Sequence, residues 1–189
     1  MLTKEEISQW HLPLEARSRG LVQVFTGDGK GKTTAALGTV IRALGHGQRV
    51  YIVFFMKGNY PYGERKILAQ LPNVDIASFG SLEFVDPTDV KPEAREQARL
   101  ALLAAREAVL SGNYDIVVLD EVNVAVAFGL IELGEVVKLI KDKLPNVELI
   151  LTGRKAAPEL IKLADLVTEC VKIKHPYDKG IKSRRGIEY

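Results

Sequence analysis

Six short apolar-rich runs recur along this chain, and the stretches between them read as helices; that alternation limits the fold more than any other feature. The runs are Leu21–Thr26, Arg49–Met56, Val74–Phe79, Tyr114–Leu119, Val147–Thr152 and Leu166–Ile173. A strand that is apolar throughout needs cover on both faces, and strands joined by helices run parallel. Helices are expected over Lys32–Leu44, closed by Gly45 and Gly47, near Glu64–Gln70, over Glu93–Leu110 behind Pro92, over Leu133–Lys143 and over Pro158–Ala164. The fold class is therefore α/β, with a mostly parallel central sheet flanked by helices.

No repeat or long linker divides residues 21–189, and a chain of 189 residues can bury one core of its own. Residues 1–20 are expected to form a separate arm. Thr3-Lys4-Glu5-Glu6 has the spacing of a helix-starting capping box, and Pro13 should interrupt the helix that it opens. The arm also holds Glu15, Arg17 and Arg19, so it lacks the apolar centre of a secretory signal. No apolar run approaches the roughly 18 residues that a membrane span needs. Lys and Arg number 26 against 24 Asp and Glu, a net charge of +2. That balance does not predict a nucleic-acid partner, which needs a concentrated basic face, and it leaves room for a small anionic ligand. Cys170 is the single cysteine, which excludes an internal disulfide and a cysteine metal cage. The expected setting is cytoplasmic.

Gly27-Asp28-Gly29-Lys30-Gly31-Lys32-Thr33-Thr34 lies between the first strand and the first helix. In that context a glycine-rich GKT segment reads as a P-loop. Glycines let successive backbone N–H groups turn inward toward phosphate oxygens, and the helix N-terminus adds partial positive charge. Lys32 can place a point charge on the phosphates, and the Thr33 hydroxyl can ligate Mg²⁺. The common pattern has glycine five positions before Gly31, where Thr26 stands here; Gly27 and Gly29 are then the residues to supply the turn.

Ile116-Val117-Val118-Leu119-Asp120-Glu121 reads as the matching Walker B strand, four apolar residues followed by two carboxylates. In a parallel sheet these acids fall at the same edge as the P-loop, where Asp120 or Glu121 can hold Mg²⁺ directly or through water. Together the two motifs predict a RecA-like P-loop fold that binds a nucleoside triphosphate.

The remaining blocks resemble the P-loop family of ATP:corrinoid adenosyltransferases. The matching residues run from Thr26 to Ala36, then Gly63-Glu64-Arg65, Val117 to Glu121, Leu151-Thr152-Gly153-Arg154, Leu163 to Glu169, Lys174-His175-Pro176-Tyr177 and Gly186-Ile187-Glu188-Tyr189. They stay in order over residues 21–189. The resemblance implies transfer of the 5′-deoxyadenosyl group of ATP to the Co(I) of a corrinoid, with triphosphate released. It further implies ATP seated with its terminal phosphate deep in the loop, a homodimer, and a flavoprotein reductase as a possible partner. A Co(I) centre is a strong nucleophile without a proton, so the chemistry needs no general base, and the sequence shows no Ser–His–Asp or Cys–His set. Lys32 and Glu121 are the expected catalytic residues, with Lys30 as further charge for the leaving group.

Several positions leave two readings open. Glu64 and Arg65 match a family motif near the nucleotide, or begin a solvated helix. Arg154 follows a strand end where a cation can meet phosphate or ribose, or forms a surface ion pair. His175 touches ligand or is structural, and the basic tail around Lys172, Lys174, Lys179, Lys182, Arg184 and Arg185 helps hold ATP or is simply solvated. Family members often have Phe-x-Trp just after the glycine equivalent to Gly80, aromatics that displace the corrinoid's lower ligand. Here Ser81-Leu82-Glu83-Phe84 follows, and the sole tryptophan is Trp10. Phe84 is the one aromatic available for that role; its alternative is packing on the helix that begins at Pro92. Two other activities remain in view: a RecA-like ATPase or phosphoryl-transfer enzyme, and an ATP-binding module without chemistry.

Overall fold

The computed structural model describes residues 19–81 and 84–189. The capping box at Thr3, Pro13 and Trp10 lie outside the described residues. The strands are β1 (Val22–Thr26), β2 (Val50–Phe54), β3 (Val74–Ser78), β4 (Ile116–Asp120), β5 (Glu148–Thr152) and β6 (Leu166–Glu169). The helices are α1 (Lys32–Leu44), α2 (Gly63–Leu68), α3 (Pro92–Leu110), α4 (Val122–Ala127), α5 (Leu133–Asp142) and α6 (Pro158–Leu163), followed by a 3₁₀ turn over Pro176–Lys179. One six-stranded sheet runs β3-β2-β4-β5-β1-β6, and every pairing is parallel.

The apolar runs divide their side chains between two cores. Val117 and Leu119 of β4 and Leu149 and Leu151 of β5 join the first core, with Ala101, Ala105 and Val109 of α3 and Val136 and Leu139 of α5. Ile116, Val118 and Ile150 point the other way, against Ala36, Val40 and Ala43 of α1 and Leu68 of α2. The central strands β4 and β5 are buried along their whole length because helices cover both faces. β6 occupies an edge and is exposed throughout.

Two expectations are corrected. The apolar run to Ile173 predicts a sixth strand of that length, but the strand ends at Glu169. The Cys170 amide still donates to Thr26 O, but the chain then turns over the glycine-rich loop, where Gly29 N donates to Cys170 O. Val171 and Ile173, apolar like a strand, are exposed. Second, α4 follows β4 where the sequence predicts no helix. Its residues, VNVAVA, alternate β-branched side chains and give no helical period.

Among the described residues, no helix is long and apolar enough to cross a membrane.

Candidate functional site

All six strands deliver their carboxyl ends to one edge, and the register sets which residues meet there. Phe25 lies opposite Thr152, and Phe54 opposite Asp120. β5 separates β1 from β4, so Thr152 stands between the glycine-rich loop and the acidic strand end.

The loop's departure from the common pattern has a simple resolution. Positive φ falls on Gly27 (93°), one residue after Thr26, and again on Gly31 (116°). Thr26 stays in the strand, and its Oγ1 accepts from Ala156 N at 3.2 Å. A Cβ on Gly27 would sit 2.5 Å from Cys170 O, and one on Gly29 would sit 2.7 Å from the same atom. The returning chain thus fits only against glycine. Gly31 caps α1, a helix of 13 residues whose first residue is Lys32.

Lys32 Nζ donates to Gly27 O at 2.8 Å and Gly29 O at 2.6 Å, folding the loop around its own cation. Burial lowers its pKa, partly opposed by Glu121. Thr33 Oγ1 donates to Asp120 Oδ1 at 2.8 Å. The same oxygen accepts from Thr152 Oγ1 at 2.6 Å, and Thr152 in turn accepts from Glu121 N at 3.0 Å. The other oxygen of Asp120 accepts from Lys57 Nζ at 2.5 Å. Burial pulls the Lys57 pKa down, and Asp120 more than reverses it, leaving the amine above its ordinary value. Glu121 has φ of 65°, a left-handed backbone rare outside glycine and often found at functional sites. Burial, then the neighbouring Asp120 charge, raises its pKa, while Lys57, Lys32 and Arg154 oppose the rise.

Lys32, Thr33, Lys57 and Glu121 line one cavity of about 1070 Å³. Small-molecule sites run from roughly 300 to 1,000 Å³, so this volume suits a nucleotide with part of a second ligand. Asp28 to Thr34 line it with Glu64, Phe84, Glu121 and Arg154. Phe84 is 96% exposed, which removes the alternative of packing on α3. Of the tail's basic residues and its histidine, Lys172 and His175 line the cavity, beside Tyr177, Asp178, Ser183 and Gly186 to Tyr189, and His175 Nδ1 also accepts from Tyr177 N at 3.1 Å, capping the 3₁₀ turn. Lys30 Nζ donates to Glu188 Oε1 at 2.5 Å. Arg184, and after it Lys30, hold the Glu188 carboxyl well below the usual range.

Arg65 behaves differently from Glu64. Its guanidinium donates to Gly58 O, Ser78 Oγ and Lys57 O and lies over the rings of Phe54 and Tyr62. It is absent from the cavity wall and braces the loop that presents Lys57. Lys57 itself was missed by sequence reasoning. It lies 63 positions from Asp120, and no local motif announces the pair.

The sheet order, the glycine-rich loop and the acidic strand end define a P-loop protein built to hold a nucleoside triphosphate at its carboxyl edge. Residues 18–189 match the family model for ATP:corrinoid adenosyltransferases of the BtuR/CobO/CobP type, and the chain belongs to that family. It is 39% identical over 172 residues to the corrinoid adenosyltransferase CobA of Salmonella typhimurium (strain LT2), covering 90% of this chain and 86% of that one. It is 37% identical over 171 residues to the corrinoid adenosyltransferase of Escherichia coli (strain K12), with the same coverage. A Sinorhizobium relative of the same name is 35% identical over 192 residues, covering 100% of this chain and 89% of that one.

Proposed function

We propose that residues 21–189 form one catalytic domain that adenosylates a reduced corrinoid from ATP, in adenosylcobalamin biosynthesis or salvage. The family's activity is ATP-dependent adenosylation of corrinoids. The observation that supports the assignment here is the convergence of Lys32, Thr33, Glu121 and Arg154 on one cavity that can take a nucleotide and part of a second ligand.

In this reading the Co(I) electron pair forms a bond to C5′ of ATP, and the C5′–O bond breaks with its pair leaving on triphosphate. No proton moves at the reacting atoms, which agrees with a cavity whose charge work falls to cations and amides. The N–H groups from Gly27 to Thr34 and the Lys32 ammonium take the developing negative charge. Lys30 joins them by exchanging Glu188 for phosphate. Glu64 and Arg154 line the cavity beside the nucleotide, and Arg65 acts at one remove through the Lys57 loop.

Mg²⁺ fits the donors present. Among the described residues no group of three or more His, Cys, Asp or Glu comes together to cage a metal. A hard ion held by one hydroxyl, a carboxylate and phosphate oxygens suits Mg²⁺, and Thr33 with Asp120 or Glu121 would hold it, directly or through water. When bound, it supplies Lewis-acid neutralisation of the leaving triphosphate. The protein is proposed to act in the cytoplasm as a homodimer, with a flavoprotein reductase supplying electrons to cobalt.

The test is incubation with ATP and chemically reduced cob(I)alamin. A corrin spectrum that converts to the alkylated form only with ATP is expected. ATP binding without that conversion would favour a module that does no chemistry.

Phe84 has a separate test. With cobalt already at Co(I), Phe84→Ala should keep most of its rate, because displacement of the lower ligand has been bypassed. Starting from Co(II) and a reductant, it should lose most of its activity. Equal losses in the two assays, or none in either, remove Phe84 from that role.

A further inference from the structure

Lys57 sits where the chain leaves β2, and both ends of its residue are fixed. Its amide donates to Phe79 O at 3.0 Å, and its carbonyl accepts from Arg65 Nη2 at 2.9 Å. The side chain is 11% exposed, and its ammonium meets an Asp120 side chain that is 1% exposed. The ammonium also lies 5.4 Å from the Phe54 ring centroid and 4.9 Å from that of Tyr62, two further attractions for a cation. Both oxygens of Asp120 are already engaged. Oδ2 is held by Lys57, and Oδ1 by the hydroxyls of Thr33 and Thr152. Because Thr33 gives its proton to Asp120, the lone pairs of Thr33 Oγ1 are left for another partner. Glu121, next in sequence, lines the cavity together with Lys32, Lys57 and Arg154.

We propose that Lys57 is a built-in monovalent cation that occupies Asp120 and keeps the divalent ion off it, confining that ion to Thr33, Glu121 and the triphosphate oxygens. The proposal rests on the Mg·ATP reading above and refines it. Its consequence is an order of binding. Without phosphates, a divalent ion beside Thr33 meets the Glu121 carboxylate, which Lys57, Lys32 and Arg154 already face, and among the described residues the cavity's other acids, Asp28, Glu64, Asp178 and Glu188, gather into no metal-holding group with it, which is a poor site. With ATP bound, the phosphate oxygens complete the ligand set, so the metal enters with the nucleotide and not ahead of it. Lys57 is thus a positioning residue, acting on the metal through Asp120.

The test is Mn²⁺ titration followed by electron paramagnetic resonance, without nucleotide, on the wild type and Lys57→Met. Loss of the ammonium turns Asp120 and Glu121 into a two-carboxylate site. Affinity for free Mn²⁺ should rise by about tenfold or more, and Lys57→Met combined with Asp120→Asn should cancel the gain. Unchanged or weaker Mn²⁺ binding by folded Lys57→Met overturns the proposal. If the variant folds poorly, millimolar Mg²⁺ should restore it and raise its melting temperature while leaving the wild type unmoved. Misfolding that Mg²⁺ does not relieve also overturns the proposal. The underlying reading is checked in the same titration, by adding ATP to the wild type. Absence of Mn²⁺ uptake there sinks the Mg·ATP reading itself; uptake without the Lys57→Met gain sinks only the role given to Lys57.

Discussion

Lys32→Ala is expected to weaken ATP binding by about tenfold or more. The Lys32 ammonium bonds two carbonyls of its own loop, Gly27 O and Gly29 O. Triphosphate offers it anionic oxygens in the same place, a stronger acceptor than a neutral carbonyl. A charge-assisted hydrogen bond contributes about 1.5–3 kcal/mol, and each 1.4 kcal/mol is a factor of about ten in affinity. The loss extends to the reaction, since the leaving group sheds its charge against the same cation. Folding should change little, because the lysine is only partly buried and the loop is also held by Gly29 N to Cys170 O. Calorimetric titration with ATP, beside a melting curve, separates the effects. Full affinity in a folded variant contradicts the P-loop assignment.

Asp120→Ala should be the most damaging single change in stability. It removes the acceptor of three donors at once, from Lys57, Thr33 and Thr152. Lys57 is then left as an unpaired ammonium in a nearly closed site. Breaking a buried pair by deleting one partner costs about 3–5 kcal/mol, a large share of the roughly 5–15 kcal/mol by which domains are stable. Denaturant unfolding should show a midpoint lowered accordingly. The pH dependence has a definite sign. Because the folded-state pKa of Lys57 is raised above 10.5, the pair's contribution is complete below that value and is lost only as pH climbs through the folded pKa. A variant as stable as the wild type at neutral pH would show that the pair contributes nothing net. Added Mg²⁺ should not rescue Asp120→Ala, since the charge left behind is positive.

These contrasts show what local sequence could and could not convey. The parallel sheet was legible because apolar runs of strand length alternate with helices, and the P-loop because its glycines, lysine and threonine are contiguous. The end of β6 was not legible: Val171 and Ile173 are apolar but exposed, and only the approach of the chain to Gly29 explains why pairing stops. α4 escaped notice because half of its six residues are β-branched and its helix rests on burial rather than propensity. At the site, Thr152 and Lys57 reach Asp120 through sheet register, with 32 and 63 positions between the partners. Arg65 matched a nucleotide motif, yet the short distance from α2 back to Gly58 turns its donors to the loop. Phe84 was singled out as the one aromatic in its loop, and it lines the cavity exposed rather than packed on α3.

Adenosyl transfer itself is tested most directly by the phosphate product formed during turnover with ATP and cob(I)alamin. Attack at C5′ leaves the three phosphates joined, whereas a RecA-like phosphoryl transfer cuts between the second and third. Phosphorus NMR of the reaction should show inorganic triphosphate appearing in step with the alkylated corrinoid and no matching ADP. ADP formed in stoichiometric amount with adenosylcorrinoid, without triphosphate, would contradict transfer from C5′.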